Sequence, residues 1–192
     1  MRPKIAVVTG PTATGKTRLG IELARALDGE IVSGDSMQIY RGMDIGTAKP
    51  SPEELAAAPH HMIDIAEPAE EWSVSRYVEA ADAAVQDILS RGKLPIVVGG
   101  TGLYIDSLVR GTEFSERTEA GELCRAELEG RYDEIGGEAM LKELSQLDPE
   151  RAARLHPADK KRIVRAMEIY LLTGETMTEH DRRTRAQPPK YD

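Results

Sequence analysis

The stretch "VVTGPTATGKTRLG", Val7 to Gly20, decides the fold. Within it Gly10-Pro11-Thr12-Ala13-Thr14-Gly15-Lys16-Thr17 satisfies the pattern G-x-x-x-x-G-K-[ST] at every fixed position. The preceding "KIAVV" is a continuous apolar run, as a strand buried on both faces requires. A helical pattern follows, so the context is strand, loop, helix. The glycines let the backbone curl until successive N–H groups point inward. Lys16 adds a point charge, and the helix N-terminus adds a partial positive charge. The Thr17 hydroxyl is placed to coordinate Mg²⁺. Such a loop reads phosphates and not a base, so any diphosphate with Mg²⁺ satisfies it.

Outward from the loop, a helix is expected from Lys16 to Leu27, with Leu19, Leu23 and Leu27 on one face and Asp28-Gly29 stopping it. "EIVSGD" reads as a second strand. Residues 35–60 read as irregular, punctuated by Pro50, Pro52 and Pro59, and "HMIDI" reads as a third strand. Residues 73–91 carry apolar side chains at helical spacing behind a capping Ser73. "LPIVVGG" is another buried strand, with a helix from about Leu103. Strand and helix alternate through residues 1–110, which predicts an α/β fold, a P-loop NTPase-like parallel sheet with crossover helices.

After Gly111 the strand-like runs end. Charged helical stretches occupy roughly 119–131, 138–147 and 158–173, and "QPPKYD" closes the chain as an extended tail. The expected organisation is an α/β core over 1–111, a helical unit over 112–185 and a tail over 186–192. The 192 residues suit one such core with an appendage. At 40% hydrophobic and 30% charged residues the chain is foldable rather than disordered. No apolar run is long enough to span a membrane or to serve as a signal peptide. Cys124 is the only cysteine, so no intrachain disulfide forms, which fits a reducing cytoplasm. The net charge of −8 is uneven: residues 1–148 carry −11 and residues 149–192 carry +3. The basic end is either a polyanion contact or an ordinary solvated helical surface.

No carboxylate ends the strand "LPIVV", where a kinase-like protein often holds its metal. The carboxylate directly after a strand is Asp35, at the strand end where doubly wound sheets bind ligands. Its readings are metal carboxylate, general base, or an Asx turn or cap formed by Asp35-Ser36. Gln38 offers a donor and an acceptor, for a base edge or for solvent. Thr101, in "GGTGLY", is either a ligand contact or a helix N-cap. His60-His61 lacks the partnering ligands of a metal site and reads as a structural loop. Trp72 and Tyr77 stack on a base or, more simply, pack in the core. On a helix, Lys161 and Arg165 lie opposite a face of Ile163, Ala166, Met167, Tyr170 and Leu171, with Arg162 at the flank.

Together "GPTATGKT" at 10–17, "DSMQIYRGMDIGTAKP" at 35–50, "HHMIDI" at 60–65, "PIVVGGTGLY" at 95–104 and "RIVRAMEIYLLTG" at 162–174 resemble the tRNA dimethylallyltransferase (tRNA isopentenyltransferase) family. The resemblance implies transfer of a dimethylallyl group from dimethylallyl diphosphate to the exocyclic N6 amine of the adenosine 3′ of the anticodon, with release of diphosphate. It implies that Asp35 is the general base and that Thr12, Lys16 and Thr17 contact the diphosphate and its Mg²⁺. It implies tRNA contacts at Asp35, Ser36, Met37, Gln38, Thr101, Arg125 and the run Lys161-Arg162-Ile163-Val164-Arg165. Many family members carry Gln where this chain has Lys161. The implied partners are the tRNA anticodon loop and dimethylallyl diphosphate, with no membrane, in a cytoplasmic monomer. Family members run well beyond 192 residues. A further core strand, more tRNA-binding helices and an arginine on the diphosphate are therefore expected beyond Asp192. The rivals are a small-molecule or nucleoside kinase, a non-catalytic RNA- or nucleotide-binding module, and a relative that prenylates free adenine nucleotides.

Overall fold

The computed structural model describes residues 2–112, 114 and 118–192, which form two compact units. Unit 1 comprises Met1–Phe114 and Pro188–Asp192, and unit 2 comprises Ser115–Gln187. The boundary falls close to the expected Gly111. Of the residues assigned to the helical unit, Glu113, Ser115, Glu116 and Arg117 lie outside those described.

Among the described residues, unit 1 is built on four parallel strands, β1 (Ala6–Thr9), β2 (Gly29–Ser33), β3 (His60–His61) and β4 (Leu94–Gly99), in the order β1-β4-β2-β3. The register pairs Thr9 with Gly99 and Ser33 with Val98, so the C-terminal ends of β1, β2 and β4 are level. Successive strand residues face opposite sides, and the core divides accordingly. Ile31, Ile96 and Val98 pack with Ile21 and Ala24 of α1 (Lys16–Ala26). Val32 and Val97 pack on the other side with Tyr77, Val85 and Ile88 of α3 (Val74–Ser90) and Leu108 of α4 (Gly102–Arg110). Burying each such aliphatic side chain stabilises the unit by roughly 1.5–3 kcal/mol.

Helix α1 docks on a different face from the one its leucines suggest. Leu19 and Leu27 are each 52% exposed, and Gly20, Ile21 and Ala24 are buried. The cause is proximity: a Cβ on Gly20 would lie 2.7 Å from Val98 Cγ2, so only a small-residue face allows the approach. Strand β3 stops at His61 because Met62 (φ 66°) and Asp64 (φ 54°) turn the chain through left-handed conformations. Residues 35–60 are not wholly irregular. They contain α2 (Pro52–Ala57), capped by a reciprocal Ser51–Glu54 box with Pro52 in the first turn. The tail is not free: Tyr191 is buried in unit 1, donating its hydroxyl to Asp82 and accepting from Gln86 Nε2 at 2.7 Å. Asp192 bridges Pro3 and Ile5 through two 2.9 Å backbone hydrogen bonds.

Unit 2 is helical: α5 (Glu119–Ile135), α6 (Gly137–Leu147), α7 (Pro149–Ala152), α8 (Lys160–Thr173) and α9 (Met177–Ala186). Its core gathers Leu128, Met140, Leu144, Ile163 and Met167. Buried Asp148 caps α7 through Arg151 N–H (3.0 Å) and receives the N–H (2.9 Å) and hydroxyl (2.6 Å) of Thr178. Burial pushes this carboxyl up, but these hydrogen bonds outweigh it and hold the pKa below the ordinary value.

At the start of β2, Glu30 is buried against Arg91, His61 and Lys93. The bidentate Arg91 hydrogen bonds, with smaller help from His61 and Lys93, overcome burial and hold its carboxyl far below the usual 4.5. A depressed carboxylate contributes stability that is full above the unfolded value and is lost as pH falls beneath it. Glu30→Gln is expected to destabilise unit 1 by about 1–3 kcal/mol at neutral pH. In denaturant titrations the difference from wild type should shrink as pH drops below 4.5.

Candidate active site

The phosphate loop spans the turn from β1 to α1. Ala13 (φ 65°) and Gly15 (φ 81°) both adopt left-handed conformations, and Gly15 occupies the N-cap of α1 with no side chain capping the first turn. The leading N–H groups of α1 are thereby left for an anion. Lys16 Nζ and Thr14 Oγ1 both donate to the Pro11 carbonyl, which folds the ammonium back over the loop.

A cavity of about 450 Å³ opens on this loop. Thr12, Ala13, Thr14, Gly15, Lys16 and Thr17 line one side, and Asp35, Met37 and Gln38 line another. Gly10, Pro11, Ser36 and Thr101 are outside the lining. Asp35 reaches the cavity because the turns after β2 and β4 meet backbone to backbone. A Cβ on Gly99 would lie 2.2 Å from the Gly34 carbonyl oxygen, which no side chain tolerates. Thr101 secures the contact: its N–H donates to Gly34 O at 3.1 Å, and its hydroxyl accepts Ser36 N–H at 3.0 Å. Thr101 occupies the N-cap position of α4, yet its hydroxyl does not cap that helix. Asp35 Oδ1 accepts Met37 N–H at 2.8 Å, an Asx turn that aims the carboxylate while it lines the cavity.

Gln38 is not a free reader of bases. Its Oε1 accepts from Ser33 Oγ at 2.9 Å and its Nε2 donates to Ala48 O at 2.9 Å, so the amide braces the segment after β2. Sequence reasoning missed Lys49, which also lines the cavity. Its side chain is 5% exposed, and Nζ donates to Tyr40 O (2.9 Å), Asp44 (2.6 Å) and Asp64 (2.6 Å). Burial pushes this ammonium down, but the two carboxylates outweigh it and raise its pKa, so it stays charged. The signal was a lone Lys between aspartates in "MDIGTAKP" and "HHMIDI".

His60 lines the cavity with Nδ1 bonded to Ala58 O at 2.7 Å and Nε2 buried without a partner among the described residues; burial lowers its pKa. His61 bonds Glu30, and no cluster of three metal-ligating side chains exists among the described residues. Tyr77 cannot stack on a base. It is fully buried, stacked on Tyr104 at 4.2 Å between centroids, with its hydroxyl on Ser33 O. Trp72 lies under the Arg76 guanidinium at 4.4 Å. Thr17 and Asp35, whose side chains carry the hard oxygen donors that Mg²⁺ takes, both line one cavity.

In unit 2, Lys161 and Arg162 are exposed, and Arg165 is half-buried. Ile163 (0% exposed) and Val164 (2%) lie in the core, so their side chains are unavailable to RNA. A contiguous run of five on a helix necessarily turns some members inward. The inward face also differs from the expected stripe: Leu171 is 58% exposed, while Glu168 and Ile169 are buried. Arg125 of α5 is half-exposed and bonded to Glu168.

The family model for IPP transferase matches residues 38–192, and that for isopentenyl transferase matches residues 3–70. A tRNA dimethylallyltransferase of Exiguobacterium is 55% identical over 91% of this chain and 55% of its own length. One from Caldanaerobacter subterraneus is 46% identical over all of this chain and 61% of its own length. The chain thus spans little more than half of the curated relatives it matches. Among solved structures, the full-length tRNA isopentenylpyrophosphate transferase of Bacillus halodurans is 44% identical, with 91% of this chain and 57% of that one covered at a TM-score of 0.60. A eukaryotic dimethylallyltransferase acting on tRNA is 31% identical, with 99% and 46% covered at a TM-score of 0.78.

Removing the loop ammonium tests the phosphate cradle. Lys16→Ala is expected to weaken binding of Mg²⁺-pyrophosphate by about 10–100-fold, the value of a charged hydrogen bond. Isothermal titration calorimetry reads the change directly.

Proposed function

The chain belongs to the IPP transferase family, and from that premise we propose that it forms the donor-binding and RNA-gripping part of a tRNA dimethylallyltransferase. In this reading a dimethylallyl group passes from dimethylallyl diphosphate to N6 of the adenosine 3′ of the anticodon, and diphosphate leaves. The observation that carries it is a single cavity lined by both the phosphate loop and the Asp35 carboxylate.

The chemistry follows from those two walls. The N6 lone pair attacks the allylic C1 while the bond from C1 to the diphosphate oxygen breaks. Negative charge grows on the leaving diphosphate, where Lys16 and the inward N–H groups of the loop meet it. N6 becomes cationic as it bonds to carbon, and Asp35 takes its proton. Thr17 would hold Mg²⁺ against the diphosphate, and the ion supplies positive charge that makes diphosphate a better leaving group. An adenine reaches such a cavity only when splayed out of the anticodon loop. Arg125, Lys161, Arg162 and Arg165 of unit 2 are the candidates for the RNA backbone, and Ser36, Met37 and Thr101 of unit 1 are further candidates for contacts to the tRNA. A cytoplasmic monomer suits this substrate. No helix among the described residues is long and apolar enough to cross a membrane.

The deciding experiment joins the chain to the further length its relatives carry and incubates it with labelled donor and unmodified tRNA. Nucleoside analysis should find the prenyl group on N6 of that adenosine; transfer to a free nucleotide, or none, refutes the reading. Asp35→Asn is expected to abolish transfer while changing pyrophosphate affinity less than about threefold. Lys161→Ala with Arg165→Ala should weaken tRNA binding and flatten the slope of log K against log salt by about 1–2.

A further inference from the structure

We propose that Glu168 is a positioning residue that aims Arg125 and Arg165 together at the RNA backbone; the proposal rests on the tRNA reading above. Glu168 lies on α8 with its side chain 5% exposed. Arg125 Nη2 donates to Oε2 at 2.8 Å and to Oε1 at 3.2 Å, and Arg125 Nε donates to Oε2 at 3.2 Å. Arg165 Nη1 approaches the same Oε2 at 3.0 Å. One carboxylate on α8 therefore holds two guanidinium groups, one from α5 and one from its own helix three residues earlier.

Three features set this cluster apart from an ordinary surface ion pair. The carboxylate is buried, so its oxygens are not available to a cationic partner from outside. The two arginines are 45% and 43% exposed, so each keeps donors open to solvent after serving Glu168. Each guanidinium has five N–H donors in a fixed plane, of which Glu168 uses only some. The charge balance of one anion to two cations leaves the cluster positive, as a phosphate-binding surface must be. A free arginine loses rotamer freedom when it meets a phosphate, and one already held in place loses less. Glu168 thus trades one unit of attraction for geometry. Phosphates at the right separation are favoured over an arbitrary polyanion.

A purely structural role, with Glu168 only tying α5 to α8, makes different predictions. The test measures the Kd of the whole chain for the anticodon stem-loop of its substrate tRNA and for a scrambled RNA of equal length. The proteins are wild type, Glu168→Gln, Arg125→Ala/Arg165→Ala and the triple variant. Glu168→Gln should weaken binding of the stem-loop about tenfold while leaving the scrambled RNA unchanged or tighter. In the background lacking both arginines the same substitution should have no further effect on stem-loop binding. Equal shifts for the two RNAs, or an effect that persists without the arginines, overturn the proposal. So does a Glu168→Gln protein whose unit 2 has lost its helical circular dichroism, since that makes Glu168 a tie between helices. A wild-type chain with no preference for the stem-loop overturns the RNA reading itself, an outcome distinct from additivity among the variants.

Discussion

The site depends on a contact between two glycines. Gly34 after β2 and Gly99 at the end of β4 touch through their backbones, and any Cβ on Gly99 would enter the Gly34 carbonyl. The parallel register of β1, β4 and β2 makes the three strand ends level, and the glycine contact then lets the turn after β2 close against the turn after β4. Asp35 follows Gly34 directly, so its carboxylate comes to line the same cavity as the phosphate loop. A sheet with the same strands and a larger residue at position 99 would hold these turns apart.

Around that contact, the chain uses buried polar groups to stiffen the wall opposite the phosphate loop. Lys49 draws the carbonyl of Tyr40 and the carboxylates of Asp44 and Asp64 to one ammonium. Gln38 ties Ser33 to Ala48. Leaving the buried Lys49 ammonium without its partners would cost about 1–3 kcal/mol or more, which holds the segment in place. For the proposed prenyl transfer, such stiffness would keep the carboxylate in place while a diphosphate is held elsewhere in the cavity. The half-buried arginines of unit 2 follow the same rule with the signs exchanged: Glu168 is the buried centre, as Lys49 is, and the arginines stand where the aspartates do.

Much of this was legible in the sequence where periodicity or a loop pattern carries the information. The phosphate loop between a strand and a helix, the buried runs that became β2 and β4, and the amphipathic α3 behind Ser73 all read directly, but β1 is not buried on both faces as "KIAVV" suggests: it ends the strand order, and Val7 is 41% exposed. The face of α1 did not, because leucines at helical spacing suggest burial while the close approach to Val98 demands Gly20 and Ala24. The capping box of α2 was written in "SPEE" but masked by the prolines around it. Gln38, Lys49 and Glu168 were out of reach for another reason. Their partners lie on other segments, and a polar residue in sequence does not show whether it faces solvent, ligand or its own backbone. Ile163 and Val164 show the converse: a run of family-like residues contains both the outward and the inward side of one helix.

In the proposed reaction the cavity holds a prenyl diphosphate with its phosphates on the loop and its reactive carbon toward Asp35. Diffraction from crystals grown with Mg²⁺ and a non-hydrolysable thio analogue of dimethylallyl diphosphate tests it most directly. The diphosphate is expected on the N–H groups of residues 12–17, with the allylic carbon on the Asp35 side. An analogue bound away from the loop, or bound there with its allyl group pointing away from Asp35, would contradict it.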